Sequence, residues 1–212
     1  MLRILVTGAN GRLGTELKKH LEATYVDIQD FDFTDELIKN DYDLIIHMGA
    51  YTDVRKAEIE KKKCFMDNAY GTFNLVNVYK DVPFVYISTE YANKPLGVYA
   101  LTKRLGEDIV LTHKKYLILR TSFKPTPFPF PYAYEDQMTQ GDYVNIIAKI
   151  LAERVKNWDR VTCRFEYLGT GRKSMYQLAK RTRPDVLPNK VEEYNAKIGM
   201  ELIPHDYLDE IK

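Results

Sequence analysis

Apolar and polar positions change period repeatedly along the first 120 or so residues, and each change marks an element. Leu2 to Thr7 is a short apolar run that stops at Gly8, after which Leu13, Leu17 and Leu21 recur every fourth residue. That spacing places the leucines on one helix face, so the pattern predicts strand, glycine turn, helix. Short runs at Thr24 to Ile28, Asp43 to Met48, Pro83 to Ser88 and Tyr116 to Thr121 predict further strands. Helix-length segments separate them, with one expected buried stripe at Phe65, Ala69, Phe73 and Val76 and another at Leu101, Leu105 and Ile109. Strands that are apolar throughout, alternating with helices, predict an α/β fold with a doubly wound parallel sheet covered on both faces, the Rossmann type.

The pattern shifts at Lys124, where prolines at 125, 127, 129 and 131 alternate with Thr126, Phe128 and Phe130. Proline at every second position excludes helix and predicts an extended segment. The expected boundary therefore divides a dinucleotide-binding core, residues 1–123, from a C-terminal segment, residues 124–212, which completes the sheet. In that segment Asp142 is the expected cap of a helix whose Val144, Ile147, Leu151 and Val155 share a face, and Val161 to Leu168 is the expected last strand. Ser174 followed by Gln177 fits a capping box, and the tail after Pro184 is polar with scattered apolar anchors.

Composition narrows the function classes. With 212 residues, 45% hydrophobic, the chain can bury the core of one domain, or of one domain carrying a small lobe. Its net charge of +1 gives no overall field for nucleic acid or an anionic membrane. The apolar opening is too short for a signal peptide and no apolar stretch has membrane length, so a cytoplasmic protein is expected. Cys64 and Cys163 are expected to be reduced, buried filler, and His20, His47, His113 and His205 show no metal-ligand spacing. No metal is expected.

Two constellations carry chemistry. Gly8-Ala9-Asn10-Gly11-Arg12-Leu13-Gly14 lies where the first strand turns into a helix, so backbone amides can approach a pyrophosphate with no side chain in the way. Asp27 ends the second strand, about twenty residues on, where a carboxylate accepts hydrogen bonds from an adenosine ribose. Asp27 favours NAD(H), whereas Arg12 could pair with the 2′-phosphate of NADP(H), and both cofactors stay open. The second constellation is Ser88-Thr89-Glu90 at the end of the fourth strand, followed by Tyr99 and, one helical turn later, Lys103. Tyr176 and Lys180 repeat the spacing, but only Tyr99 follows a strand end of the kind that holds ligands in an open parallel sheet. Tyr99 is therefore the expected acid–base residue, with the Lys103 ammonium and an oxidised nicotinamide expected to lower its pKa.

These residues resemble the extended short-chain dehydrogenase/reductase family, nearest its dTDP-4-dehydrorhamnose reductase branch. The similarity runs through the glycine turn, Asp32-Phe33-Thr34-Asp35, Gly49-Ala50-Tyr51-Thr52-Asp53 with Lys56-Ala57-Glu58, and Asn68 with Gly71. It continues through Ser88-Thr89-Glu90-Tyr91, Tyr99 with Lys103, and Arg120-Thr121-Ser122-Phe123. The resemblance implies that Gly11, Arg12 and Leu13 meet the pyrophosphate beside Gly8, Asn10 and Gly14, that Asp32 and Phe33 meet the adenine, and that Gly49, Ala50 and Tyr51 line the cofactor. It also implies that Lys103 holds the nicotinamide ribose, that Thr89 binds the sugar carbonyl oxygen and Tyr99 protonates it, and that Glu90 and Phe123 touch the substrate. The family usually carries Asp at the Glu90 position and Trp at the Phe123 position. Nine residues separate Thr89 from Tyr99, where relatives carry a longer insert, and the substrate lobe after Phe123 is abbreviated. The implied activity is NAD(P)H-dependent reduction of a 4-keto-6-deoxy nucleotide sugar, compatible with a homo-oligomer. The alternatives are an epimerase or dehydratase on the same fold and a non-catalytic, nucleotide-sensing regulatory subunit.

Overall fold

The computed structural model describes residues 2–27, 41–158 and 165–204. Its first half alternates strand and helix: β1 (Ile4–Thr7), α1 (Arg12–Leu17), β2 (Thr24–Val26), β3 (Leu44–His47), α2 (Val54–Ala57) and α3 (Lys61–Phe65). A π-helical turn, Met66–Tyr70, joins α3 to α4 (Gly71–Val78), followed by β4 (Phe84–Thr89), a 3₁₀ turn (Glu90–Asn93), α5 (Val98–Val110) and β5 (Tyr116–Thr121). Beyond these come β6 (Phe123–Lys124), β7 (Tyr132–Tyr134), β8 (Met138–Thr139), β9 (Asp142–Tyr143), α6 (Val144–Lys156) and β10 (Phe165–Tyr167). The described chain ends through β11 (Lys173–Ser174), α7 (Met175–Lys180), β12 (Leu187–Asn189) and α8 (Val191–Ile198).

Six strands form one parallel sheet in the order β10-β5-β4-β3-β1-β2, a Rossmann-type arrangement. Alternate side chains along each strand enter opposite cores, which explains strands apolar throughout. Ile4, Val6, Leu44, Ile46, Val85 and Ile87 meet α1 and α6 through Leu13, Leu17, Ile147 and Leu151. Leu5, Ile45, Phe84, Tyr86 and Ile118 meet α4 and α5 through Leu75, Val76 and Val110. The segment after Lys124 thus supplies both a helix against α1 and the strand beside β5. A smaller core of Phe128, Ala133, Tyr143, Met175, Leu178 and Val186 holds the remainder together.

The α6 stripe, Val144, Ile147, Leu151 and Val155, is buried as the spacing predicts, and Ser174 with Gln177 forms the capping box. Of the expected last strand, Phe165–Tyr167 is strand, and positions 161–164 lie outside the described residues. Asp142 is not the cap of α6. Tyr143 occupies the cap position, and the Asp142 carboxylate is buried against Arg181, Thr170 and the Tyr143 amide.

The two expected stripes are buried only in part: Ala69 and Val76 lie inside and Leu105 and Ile109 are half-buried, but the largest side chains at the other positions turn outward. Phe65, Phe73 and Leu101 are 46%, 48% and 49% exposed. Beside Ala69, Leu75 and Val76, their helices and the π-helical turn between α3 and α4 bury Cys64, Asn68, Thr72, Thr102, Lys103 and Gly106. The reason is close approach to the sheet: a methyl at Gly106 would come within 2.2 Å of the Tyr86 hydroxyl oxygen. Small and hydrogen-bonding residues are required on the inner face there, so the large apolar side chains point away.

Candidate functional site

The carboxyl ends of β1, β3, β4 and β5 open onto a cavity of about 680 Å³, in the place where open parallel sheets hold ligands. Gly8, Asn10, Gly11, Arg12, Leu13 and Gly14 form one side of it, and Asp27 lies at the end of β2. The three glycines have different reasons for being there. Gly8 has φ +80°, and a Cβ on it would lie 2.8 Å from the Gly49 amide nitrogen; at Gly14 a Cβ would lie 2.3 Å from the Gly8 carbonyl oxygen. Both are demanded by packing. At Gly11 the nearest atom would be 3.3 Å away and the residue is exposed, so its missing side chain leaves the backbone open toward the cavity. Asp27 Oδ2 accepts the Asn10 amide at 2.7 Å and so holds the turn against β2.

Behind the turn lies a buried polar chain. Thr72 donates to the Asn68 carbonyl oxygen at 2.7 Å, so it accepts from His47 Nε2 at 3.0 Å. His47 Nδ1 then accepts from the Thr7 hydroxyl at 2.7 Å, and Thr7 Oγ1 accepts the Met48 and Gly49 amides. Burial, reinforced by the Lys103 charge, pushes the His47 pKa down to about 3, so the ring is neutral near pH 7. Asn68 clamps a second loop: it accepts the Tyr51 amide at 2.8 Å, and its Nδ2 donates to the Tyr51 carbonyl and to Thr102 Oγ1. The loop beside Gly49 and Ala50 is thereby tied to the helix that carries Tyr99 and Lys103.

Thr89, Tyr99 and Lys103 line the same cavity as the glycine turn. The Thr89 hydroxyl accepts the Tyr91 amide at 3.3 Å and lies near enough to the Tyr99 phenol to favour its ionised form. The expectation of a lowered Tyr99 pKa supposed an oxidised nicotinamide beside it; in the chain by itself burial raises the value to about 12, only partly opposed by the Thr89 hydroxyl. Lys103 does not act on it in this state, because Lys103 Nζ donates to the Ile87 carbonyl oxygen at 2.8 Å and lies 4.1 Å from the Tyr86 ring centre. Burial pushes the Lys103 pKa down to about 7, against the attraction of Glu107. Tyr176 packs on the smaller core and Lys180 donates to the Pro184 carbonyl, both away from the cavity.

Other expected site residues divide. Gly49, Ala50 and Phe123 line the cavity. Tyr51 does not; its hydroxyl donates to Glu60. Glu90 is fully buried and also absent from the wall, because its carboxylate accepts from Thr139 Oγ1 at 2.7 Å and from the Gln140 and Gly141 amides. A longer carboxylate than the usual Asp reaches this loop, which makes Glu90 a brace. Asp32 and Phe33 lie outside the described residues. Ser122 and Asp53, inside the quoted motifs, and Met48 and Lys124, beside them, also line the cavity, though the motifs assign none of them a role. Also unforeseen was the buried Glu107–Arg120 pair, joined by bonds of 2.7 and 2.6 Å. Arg120 reaches Asn93 as well, and Asn93 reaches Tyr167, so one guanidinium joins α5, β5, β10 and the 3₁₀ turn beside Thr89.

The wall fits a dinucleotide on two independent observations: the open backbone at Gly11, and the buried Ser88 Oγ, which has no hydrogen-bond partner. Among the described residues no group of His, Cys, Asp or Glu could hold a metal ion, and no helix is long and apolar enough to cross a membrane.

Comparison with known proteins fits this geometry. The chain is 29% identical over 188 residues to dTDP-4-dehydrorhamnose reductase of Aggregatibacter actinomycetemcomitans, covering 75% of this chain and 59% of that protein. Overall it spans about half the length of the curated relatives it matches. A dTDP-4-dehydrorhamnose reductase structure from Clostridium acetobutylicum superposes with a TM-score of 0.78 at 25% identity, covering 91% of this chain and 85% of that one. The enzyme of the same name from Bacillus anthracis, solved in complex with NADP, gives 0.76 at 24% identity, covering 96% and 88%. The model of the RmlD substrate binding domain matches residues 2–124. With more than half of its length matched, and with the parallel sheet and strand-end cavity described above, the chain belongs to the RmlD substrate binding domain family.

Proposed function

We propose that this chain reduces the 4-keto group of a nucleotide-linked 6-deoxysugar, as the resemblance to dTDP-4-dehydrorhamnose reductases suggests. The observation that carries the reading is the convergence of Thr89, Tyr99 and Lys103 on the cavity that also holds the open glycine turn. NADH or NADPH, when bound, supplies the hydride. Gly11, Arg12 and Leu13 receive the cofactor's diphosphate, Asp27 its adenosine ribose, Gly49 and Ala50 line its course, and Lys103 holds the nicotinamide ribose. Asp32 and Phe33 are assigned to the adenine. The Thr89 hydroxyl orients the carbonyl oxygen, and the Tyr99 phenol gives it a proton. A phenol raised to about 12 is protonated near pH 7, the form a proton donor needs. Phe123 lies where the sugar would sit. Oxidation of NADH and NADPH, followed against a panel of 4-keto-6-deoxy nucleotide sugars, tests this; turnover of none overturns it.

One observation favours a second reading, a nucleotide-sensing subunit without turnover: Glu90, assigned to the substrate by resemblance, is committed to an internal loop. Dinucleotide binding with no turnover of any sugar would support that reading. A retained, unexchangeable NAD would point instead to an epimerase or dehydratase. The proposal places the protein in the cytoplasm and includes self-association. Phe65, Tyr70, Phe73 and Leu101 expose an apolar helix face, rimmed by the Lys63–Asp67 and Arg104–Asp108 pairs, whose balanced charge permits a second copy to dock.

A further inference from the structure

Besides Lys103, whose Nζ is taken by the Ile87 carbonyl, two basic side chains line the cavity, Arg12 and Lys124. The side chains of Arg12, at the start of α1, and Lys124, on β6, make no hydrogen bond or ion pair with any described residue. Burial holds the Lys124 ammonium below the usual lysine value, and Arg12 lowers it further. Glu90 attracts Lys124, but its carboxylate accepts three bonds from the 139–141 loop. The two carboxylates on the wall are also engaged: Asp27 with the Asn10 amide, and Asp53 with the Arg55 and Lys56 amides. Like charges facing one partly buried space are unfavourable alone and become favourable around a multivalent anion.

We propose that Arg12 and Lys124 form a two-cation clamp for a diphosphate, with Lys124 supplied by the segment that follows β5. The motif resemblance assigns nothing to Lys124. The proposal rests on the dinucleotide reading of this cavity and commits to the cofactor's diphosphate, because the open backbone at Gly11 adjoins Arg12. Such an anion would relieve the repulsion between the two cations and gain a charge-assisted bond from each.

Calorimetric titration of the purified protein with ADP-ribose and, separately, with dTDP tests the clamp and identifies its ligand. Lys124→Met should weaken ADP-ribose by about tenfold or more and flatten its salt dependence, and Lys124→Arg should restore most of the loss. dTDP affinity should not change. Arg12→Met, a change at an exposed position, should produce a similar loss and serves if Lys124→Met fails to fold. A loss for dTDP with ADP-ribose unchanged would overturn the cofactor assignment and give the clamp to the sugar nucleotide. Unchanged affinity for both ligands would overturn the clamp and leave the dinucleotide reading standing. If the wild type binds NADH, NADPH and ADP-ribose not at all, the dinucleotide reading falls and the clamp with it.

Discussion

Lys103→Met makes a quantitative test of how the site is built. The lysine is buried, and its pKa falls from the ordinary 10.5 to about 7 on folding. The unfolded chain therefore binds more protons between those values, so stability rises with pH across the window and the full penalty is present below about pH 7. At roughly 1.4 kcal/mol per pKa unit, burying this charge costs the folded state about 5 kcal/mol at pH 6 and about 2 kcal/mol at pH 9. The bond to Ile87 and the contact with the Tyr86 ring offset part of the cost but do not titrate in this window as separate groups. Methionine keeps the stem and removes the charge. Urea unfolding of both proteins at pH 6, 7.5 and 9 should show the wild type gaining about 3 kcal/mol on the variant between the two extremes. Titrating groups that do not feel Lys103 cancel in that difference, and His47, which does, titrates near pH 3, below the window. Parallel stability curves, or a difference that shrinks with pH, would refute the buried-charge argument. If it holds, the lysine is retained against stability, as expected of a group kept for binding.

Tyr99→Phe should lower turnover by roughly 10²–10⁴-fold with cofactor affinity intact, and Tyr176→Phe should change neither; steady-state kinetics beside dinucleotide titration separates them. Gly11→Leu should fold normally and lose the dinucleotide, whereas Gly14→Ala should cost stability through its 2.3 Å contact; circular dichroism and calorimetry on both variants check the division. Glu107→Gln leaves the Arg120 guanidinium buried without its partner charge and should cost about 3–5 kcal/mol in urea unfolding. Phe73→Glu should lower the sedimentation mass if the exposed helix face is where two copies meet.

The sequence by itself determined the order of the sheet's elements and the places where chemistry gathers. Strands buried on both faces must be apolar throughout, and a turn that packs backbone on backbone admits only glycine at Gly8 and Gly14, so both leave marks in the residue string. That Tyr99 and not Tyr176 lies at the strand-end cavity was also legible, because one follows a strand end and the other sits at a capping box. Tertiary structure decided what depends on distance between segments. Phe65, Phe73 and Leu101 have the right period for burial beside Ala69 and Val76, yet they are about half exposed, while the tight approach of Gly106 to Tyr86 admits only small groups inside there. Glu90 has the chemistry of a substrate contact, but a loop fifty residues later presents amides that take its carboxylate. Lys124 reads along the chain as a composition boundary, and only folding brings its ammonium near Arg12. Local pattern records what each residue needs from its neighbours in sequence; the burial that chiefly shifts the pKa values of Tyr99, Lys103 and Lys124 is made by segments from elsewhere in the chain.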